Sequence, residues 1–258
     1  RQPEGYFVEM AKPGYEEAKE HRRVAYFSME VAIGPAMPTY SGGLGVLAGD
    51  TLKSCADLRV PVVGVTLLYR KGYFDQKLDP CGSQQEFPVP WTPERFLRPL
   101  PETVQLEIEQ RSVRVRAWQY NLIGLSGYVV PLILLDTDVE GNTDDDRSLT
   151  DSLYGGDERY RLAQETVLGI GGARMLRALG YTGIQKFHMN EGHASLLLLE
   201  LLKSENGEQR EQWDFEKIRN RCVFTTHTPV PAGHDQFEYP LVQRVLGEAV
   251  PFEILKML

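Results

Sequence analysis

The chain reads as an α/β protein: a Rossmann-like, mainly parallel sheet with helices on both faces and an antiparallel insertion in its middle. Three observations predict this. Continuous apolar runs such as "VPVVGVTLLY" and "YVVPLILLDTD" have the composition of strands covered on both faces, as parallel strands are. In the two flanks such runs alternate with helical patterns, which is the sequence of a crossover fold. Between the flanks, "VQLEIEQRSVRVRAWQY" alternates apolar with polar residues, the mark of half-exposed antiparallel strands. A hydrophobic content of 42% over 258 residues is enough for a core, and 1–258 is taken as one Rossmann-like domain with a more irregular insertion at about 79–129.

The elements follow in order. After a polar, irregular start, "VAYFSMEVAIG" reads as a buried strand stopped by Gly34 and Pro35. Leu44, Leu47, Ala48, Leu52, Cys55 and Leu58 recur at three- and four-residue spacing and predict a helix buried along that face. "VPVVGVTLLY" then closes a βαβ unit. Beyond the alternating middle, Asp157 to Leu179 predicts a long helix with Leu162, Val167, Ile170, Ala173, Leu176 and Leu179 inward. The glycines of its "LGIGGARM" segment, mid-helix, are expected to be close-packing positions. "IQKFHMN" is a strand running into the helix "EGHASLLLLELL"; "FEKIRNRC" and "CVFTTHT" repeat helix then buried strand.

Composition excludes several classes. Twenty-eight Lys and Arg against 36 Asp and Glu give a formal charge of -8 with no basic run, which argues against nucleic acid and anionic membranes as partners. Cys55, Cys81 and Cys222 are far apart and odd in number, so neither a disulfide framework nor a zinc ribbon is indicated, and a reducing, cytoplasmic compartment is expected. No signal segment opens the chain and no apolar run is long enough to span a bilayer, so a soluble protein is expected. A start at Arg1 and a finish on "EILKML" read as cut ends as much as natural termini.

Two motifs carry chemistry. "GLGVLA", Gly43 to Ala48, fits the G-x-G-x-x-A dinucleotide fingerprint, but the residues Pro35 to Gly42 separate it from the preceding strand. The next strand also lacks the acid that would hold a ribose. What survives is the physics under the fingerprint: Gly42 and Gly43 let the backbone turn its N–H groups outward at the positive end of a helix, a place for an anion. The plain alternative is a tight loop against the sheet. The second motif is histidine at strand ends, His188 and His193 in "FHMNEGH" and His227 and His234 in "TTHTPVPAGHD". The spacing "HMNEGH" is one residue too long for a zinc H-x-x-E-H site and no cysteine is near. His188 reads as a satisfied core residue, and Asn190 can be read as a helix cap. His193 and His227 are the functional candidates, since ligands collect at the carboxyl ends of parallel strands.

Taken together, "AYFSMEVAIG", "YSGGLGVLAGDTLKSCADLRVPVVGVTLLYRKGYFDQ", "LYGGDERYRLAQETVLGIGGARMLRALG", "HMNEGHASL" and "FTTHTPVPAGHDQF" resemble the α-glucan (glycogen and starch) phosphorylases, and most closely their shorter bacterial and archaeal branch. The resemblance implies the N-terminal half of a GT-B glycosyltransferase that cleaves a terminal α-1,4-linked glucose with inorganic phosphate, giving glucose 1-phosphate with retained configuration. It implies phosphate binding at Gly42 and Gly43, a catalytic role at His227, and substrate contacts at Glu30, Asn190, Glu191, His193, Thr226 and Thr228. Glu191 and Gly192 stand where the family's N-D-T-H stretch has Asp and Thr. It further implies pyridoxal 5'-phosphate in the full-length enzyme, held by a lysine in a C-terminal domain absent here. The partners implied are α-1,4-glucan, phosphate, glucose 1-phosphate and that C-terminal half; an oligomer is compatible, and the isolated chain is expected to be inactive. Two other readings compete: a stand-alone glucan-binding or regulatory domain without catalysis, and a sugar-nucleotide glucan synthase. The synthases carry Lys-x-Gly-Gly-Leu where this chain has Tyr40-Ser41-Gly42-Gly43-Leu44.

Overall fold

A computed structural model describes residues 18–206, 213–227, 229 and 234–247. Its strands are β1 (Val24–Ser28), β2 (Val62–Leu67), β3 (Asp75–Leu78), β4 (Gln84–Phe87), β5 (Arg98–Ile108), β6 (Arg111–Ile123), β7 (Val129–Asp136), β8 (Lys186–Asn190) and β9 (Cys222–Thr225). Seven of them form one sheet in the order β5-β6-β7-β2-β1-β8-β9. The pairs β7–β2, β2–β1, β1–β8 and β8–β9 are parallel, and β5–β6 and β6–β7 are antiparallel. The alternating middle of the sequence thus extends the edge of the main sheet, and only the β3–β4 hairpin stands apart.

Side chains alternate across the sheet into two apolar clusters. Ala25, Phe27, Val63, Val65, Ile133 and Leu135 enter one, and Tyr26, Val62, Leu132 and Leu134 the other. The second is covered by α1 (Gly43–Asp57) through Ala48, Leu52 and Ala56. After the short α2 (Asp144–Arg147), the first is covered by α3 (Glu158–Thr166), α4 (Gly172–Ala178) and α5 (Leu197–Asn206). Each fully buried Leu or Phe here contributes about 1.5–3 kcal/mol. The last helices are α6 (Phe215–Arg221) and α7 (Tyr239–Leu246).

Four details differ from the sequence reading. The first strand ends at Ser28; Met29, Val31 and Ile33 are buried outside the sheet, where Val31 pairs with Thr39 and the Ala32 N–H donates to the Gly45 carbonyl. The buried face of α1 runs through Gly45, Ala48, Gly49, Leu52 and Ala56, whereas Leu47 and Leu58 are exposed. Small residues win because the helix lies directly on backbone: a Cβ on Gly49 would sit 2.0 Å from the Ala32 carbonyl oxygen. The long helix starts as expected, with Asp157 capping it by accepting from the Tyr160 N–H, but a π-helical turn, Val167–Gly171, separates α3 from α4. Its glycines pack closely as expected, Gly169 against the start of α5 and Gly172 against the Phe27 ring. Finally β9 is not buried. It is the outermost strand described on its side, and Val223 and Phe224 are 41% and 54% exposed.

The β5–β6 turn is a fastening point. Glu109 and Gln110 both have positive φ (49° and 62°), the geometry of a two-residue hairpin turn that normally favours Asn-Gly. Its strain is offset by ties to two helices. The Glu109 N–H donates to the Val245 carbonyl of α7, and its carboxylate accepts from Arg159 of α3 at 2.6 and 2.9 Å and from Arg111 at 3.1 Å. The Arg159 hydrogen bonds, with Arg111 assisting, hold this carboxyl down at about 2 against an ordinary 4.5. A depressed carboxyl contributes stability above its unfolded value that is lost as pH falls through the folded one. Glu109→Gln is therefore expected to melt below the native chain at pH 7, with the gap closing between about pH 4.5 and 2. Melting curves across that interval check it, and a constant gap would refute the assignment.

Candidate functional site

Because β1, β2, β7, β8 and β9 run parallel, their carboxyl ends share one edge. The chain leaves β1 for β2 on one side and returns to β8 on the other, so the connections diverge over the β1–β8 boundary and open a crevice there. Ser28 and Asn190 are register partners at this boundary, and Asn190 is in turn opposite Thr225 of β9.

The polar groups at these strand ends satisfy one another in a directed chain. Ser28 Oγ–H donates to the Glu30 carbonyl at 2.6 Å, so its lone pairs accept from Asn190 Nδ2 at 3.2 Å. That turns Asn190 Oδ1 toward His227 Nε2, 2.9 Å away. An amide oxygen only accepts, which assigns the proton to Nε2 and leaves Nδ1 of the exposed His227 ring as an acceptor for a hydroxyl. The His227 main-chain N–H donates to Glu191 Oε1. Asn190 is thus a support for His227 and not a cap: the 3₁₀ turn Gly192–Ala194 has no side-chain cap.

The glycine loop meets the same edge. Glu30, just beyond β1, accepts from the Ser41 N–H at 2.6 Å and the Gly42 N–H at 3.1 Å, and Tyr154 Oη donates to its other oxygen at 3.0 Å. Gly42 and Glu30, both expected at a ligand, are therefore bonded to each other here. Helix α1 begins at Gly43 with no acidic residue and no side-chain cap in its first turn, so its positive end is left to the crevice side. Neither Gly42 nor Gly43 has a positive φ, and among the described residues a Cβ on either would meet nothing within 4 Å. Packing explains Gly45 and Gly49; it does not explain these two.

Beneath the crevice lies a layer of which sequence reasoning named only His193. The buried His193 ring lies tilted against Tyr154 (5.6 Å between centroids), and its Nε2 lies 3.7 Å from Asp235, which also binds Arg161 at 2.5 Å. Burial lowers the His193 pKa against the opposing pull of Asp235, so the ring is neutral at pH 7. Glu165, one turn from Arg161 on α3, is pushed up to about 10 by burial and then by the neighbouring Asp235, and is a neutral acid. Ser28, Tyr154, Arg161, Glu165 and Asp235 lie in the runs that carry the family resemblance. Only the i, i+4 spacing of Arg161 and Glu165 was a local signal, and it reads equally well as a solvated helix face.

Of the other expected residues, Thr226 is exposed between Thr225 and His227, and Thr228 lies outside the described residues. His188 is a satisfied packing residue, with Nε2 2.6 Å from Thr225 Oγ1 and its ring edge-on to Tyr26. His234 Nδ1 stands 4.0 Å from Glu191. Among the described residues, no helix is long and apolar enough to cross a membrane.

Fold and site together define a Rossmann-like α/β module with a polar crevice at its switch point. The carbohydrate phosphorylase family model matches residues 29–118. The chain is 43% identical over 87% of its length to a glycogen phosphorylase of Mycobacterium tuberculosis, and 39% identical over 95% to a maltodextrin phosphorylase of Thermococcus litoralis. It is 31% identical over 85% to a glycogen phosphorylase of Aquifex aeolicus. The chain matches the glycogen and starch (α-glucan) phosphorylase family. It spans 27%, 29% and 32% of the length of those three proteins.

Glu165 gives a test of the buried layer. The fold holds a proton that the unfolded chain releases near 4.5, so this group lowers stability as pH rises from there toward about 10. Glu165→Gln is expected to melt higher than the native chain, with a gain larger at pH 9 than at pH 6. A Gln variant less stable at pH 9 would show that Glu165 is charged in the fold.

Proposed function

We propose that this chain is the N-terminal, Rossmann-like half of a GT-B enzyme, a cytoplasmic retaining α-1,4-glucan phosphorylase. The family match supports it, and one observation carries it to the site: Gly42 and Gly43, required by neither φ nor packing, stand before open space at the positive end of α1. Glycine at such a place serves a ligand that approaches the backbone closely, and the amides together with the helix dipole favour an anion. With Gly42 already bonded to Glu30, the phosphate is assigned to the amides from Gly43 onward, and Glu30 and Tyr154 brace the loop from below.

Phosphorolysis breaks the bond from C1 of the terminal glucose to the glucan oxygen. That oxygen takes a proton from phosphate, and a phosphate oxygen then bonds C1, so the carboxylate pair of a glycosidase is not needed. His227 positions the sugar, its Nδ1 accepting from a hydroxyl while Asn190 holds Nε2 and Glu191 the main chain. Asn190, Glu191 and His193 support or line the same pocket, with Thr226 and Thr228 beside it. Pyridoxal phosphate, which supplies proton control in this reading, belongs with a C-terminal half that brings its own lysine; the residues here give it no step.

The test is release of glucose 1-phosphate from α-1,4-glucan and phosphate by the full-length protein; glucan synthesis from a sugar nucleotide in its place would overturn the reading. In that enzyme Gly43→Ala is expected to keep or raise the melting temperature, since Ala favours a helix by about 0.5–1 kcal/mol. It is also expected to raise KM for phosphate at least tenfold, and an unchanged KM would remove the glycines from the phosphate site. His227→Ala is expected to lower turnover about thirtyfold to a thousandfold, or about 2–4 kcal/mol in the transition state, with cofactor occupancy unchanged. Near-normal turnover in a variant of lowered melting temperature would make His227 a packing residue.

A further inference from the structure

Glu191 has a backbone conformation that belongs to glycine. Its φ of 69° and ψ of 176° fall in a region that residues with a Cβ occupy at a cost of about 1–3 kcal/mol. The next residue, Gly192, has no positive φ and open space where a Cβ would be. The permissive residue therefore sits one position away from the strain, and the Glu191 side chain must be worth the difference.

The contacts show what it does. Consecutive residues of a strand point to opposite faces, yet both Asn190 and Glu191, at the end of β8, reach His227. The reversed φ swings the second side chain round to the side of the first. Glu191 then joins the ends of β8 and β9 twice, its N–H donating to the Thr225 carbonyl at 2.9 Å and its carboxylate accepting the His227 N–H. Asn190 holds the ring of His227 and Glu191 holds its peptide, so the two fix both the place and the direction of the histidine. His234 Nδ1 stands 4.0 Å from the other carboxylate oxygen, and Glu191 is 1% exposed.

We propose that Glu191 is a positioning residue, whose buried carboxylate clamps the Thr226–His227 peptide and so aims His227, and that it does not itself contact the sugar. The clamp stands on geometry alone; its consequence for turnover rests on the phosphorylase reading. The discriminating variant is Glu191→Gly, which relaxes the backbone and removes the clamp together. Amide exchange at His227 and melting are measured on the 258-residue chain, and kinetics on the full-length enzyme.

Glu191→Gly is expected to melt at or above Glu191→Ala, to exchange the His227 amide at least tenfold faster than the native chain, and to lose at least thirtyfold in kcat with KM for phosphate within threefold. Glu191→Gln, which keeps an acceptor oxygen, is expected to stay within threefold of native in exchange and in kcat. Three results would overturn the proposal: His227 exchange unchanged in both the Gly and Ala variants, kcat rising and falling with melting temperature across the series, or a kcat loss in the Gln variant as deep as in the Gly variant. A native full-length protein without phosphorolysis would sink the functional reading, and the exchange measurement would still decide the clamp.

Discussion

The crevice depends on one pairing, Ser28 against Asn190 across the β1–β8 boundary. Both are buried polar residues at the ends of apolar strands, where an unmade hydrogen bond costs about 1–3 kcal/mol. Each satisfies the other, and each has a group left over that reaches outward, Ser28 to the Glu30 carbonyl and Asn190 to the His227 ring. From Glu30 the connection passes to the glycine loop and Tyr154, and from His227 to Glu191. A one-residue slip of β8 against β1 would put Met189 opposite Ser28 and break both branches. The hydrophobic pattern that fixes the register therefore also fixes the chemistry above it.

Glycine is used in two opposite ways. At Gly49, Gly169 and Gly172 it is a packing device, since a Cβ would run into the Ala32 carbonyl, the start of α5 or the Phe27 ring. At Gly42, Gly43 and Gly192 no described residue presses on the missing side chain. The second kind marks surface that the fold leaves open at helix starts, where electrostatics favour negative charge. Glu30 is the counterweight: a fixed carboxylate at the foot of the loop holds the first two amides and shapes the rest.

The sheet was legible because β2 and β7 are unbroken apolar runs covered on both faces, and β5 and β6 alternate as half-covered strands do. Periodicity misled where backbone contact replaced side-chain contact. In α1 it counted Leu47 and Leu58 and skipped Gly45 and Gly49, which carry the contact. In the long helix, the apolar spacing carried no sign of the π-helical turn, which falls at Val167–Gly171. The apolar run of β9 looked buried because a strand's composition does not say whether another strand lies beyond it. At the site, sequence named loops that the strand ends do bring together, but not the contacts among them. Asn190 as a cap and Asn190 as a histidine support use the same residue type, and only the ladder to β1 and β9 separates them. Nothing in "MNEGH" signals that Glu191, and not Gly192, takes the positive φ.

The central position of β1 has a consequence for biosynthesis. One of its two neighbours is β8, and the Ser28–Asn190 bond closes a separation of 162 residues, so β1 must wait for a strand made much later. Closing so long a loop is slow compared with forming α1 and pairing it with β1 and β2, which are local. On the ribosome the βαβ unit can assemble early, with the apolar edge of β1 left open until β8 emerges. The crevice then appears only after the βαβ unit is in place. A chain stalled before Asn190 would have most of its hydrophobic core and no site, and a reactive sheet edge at its centre.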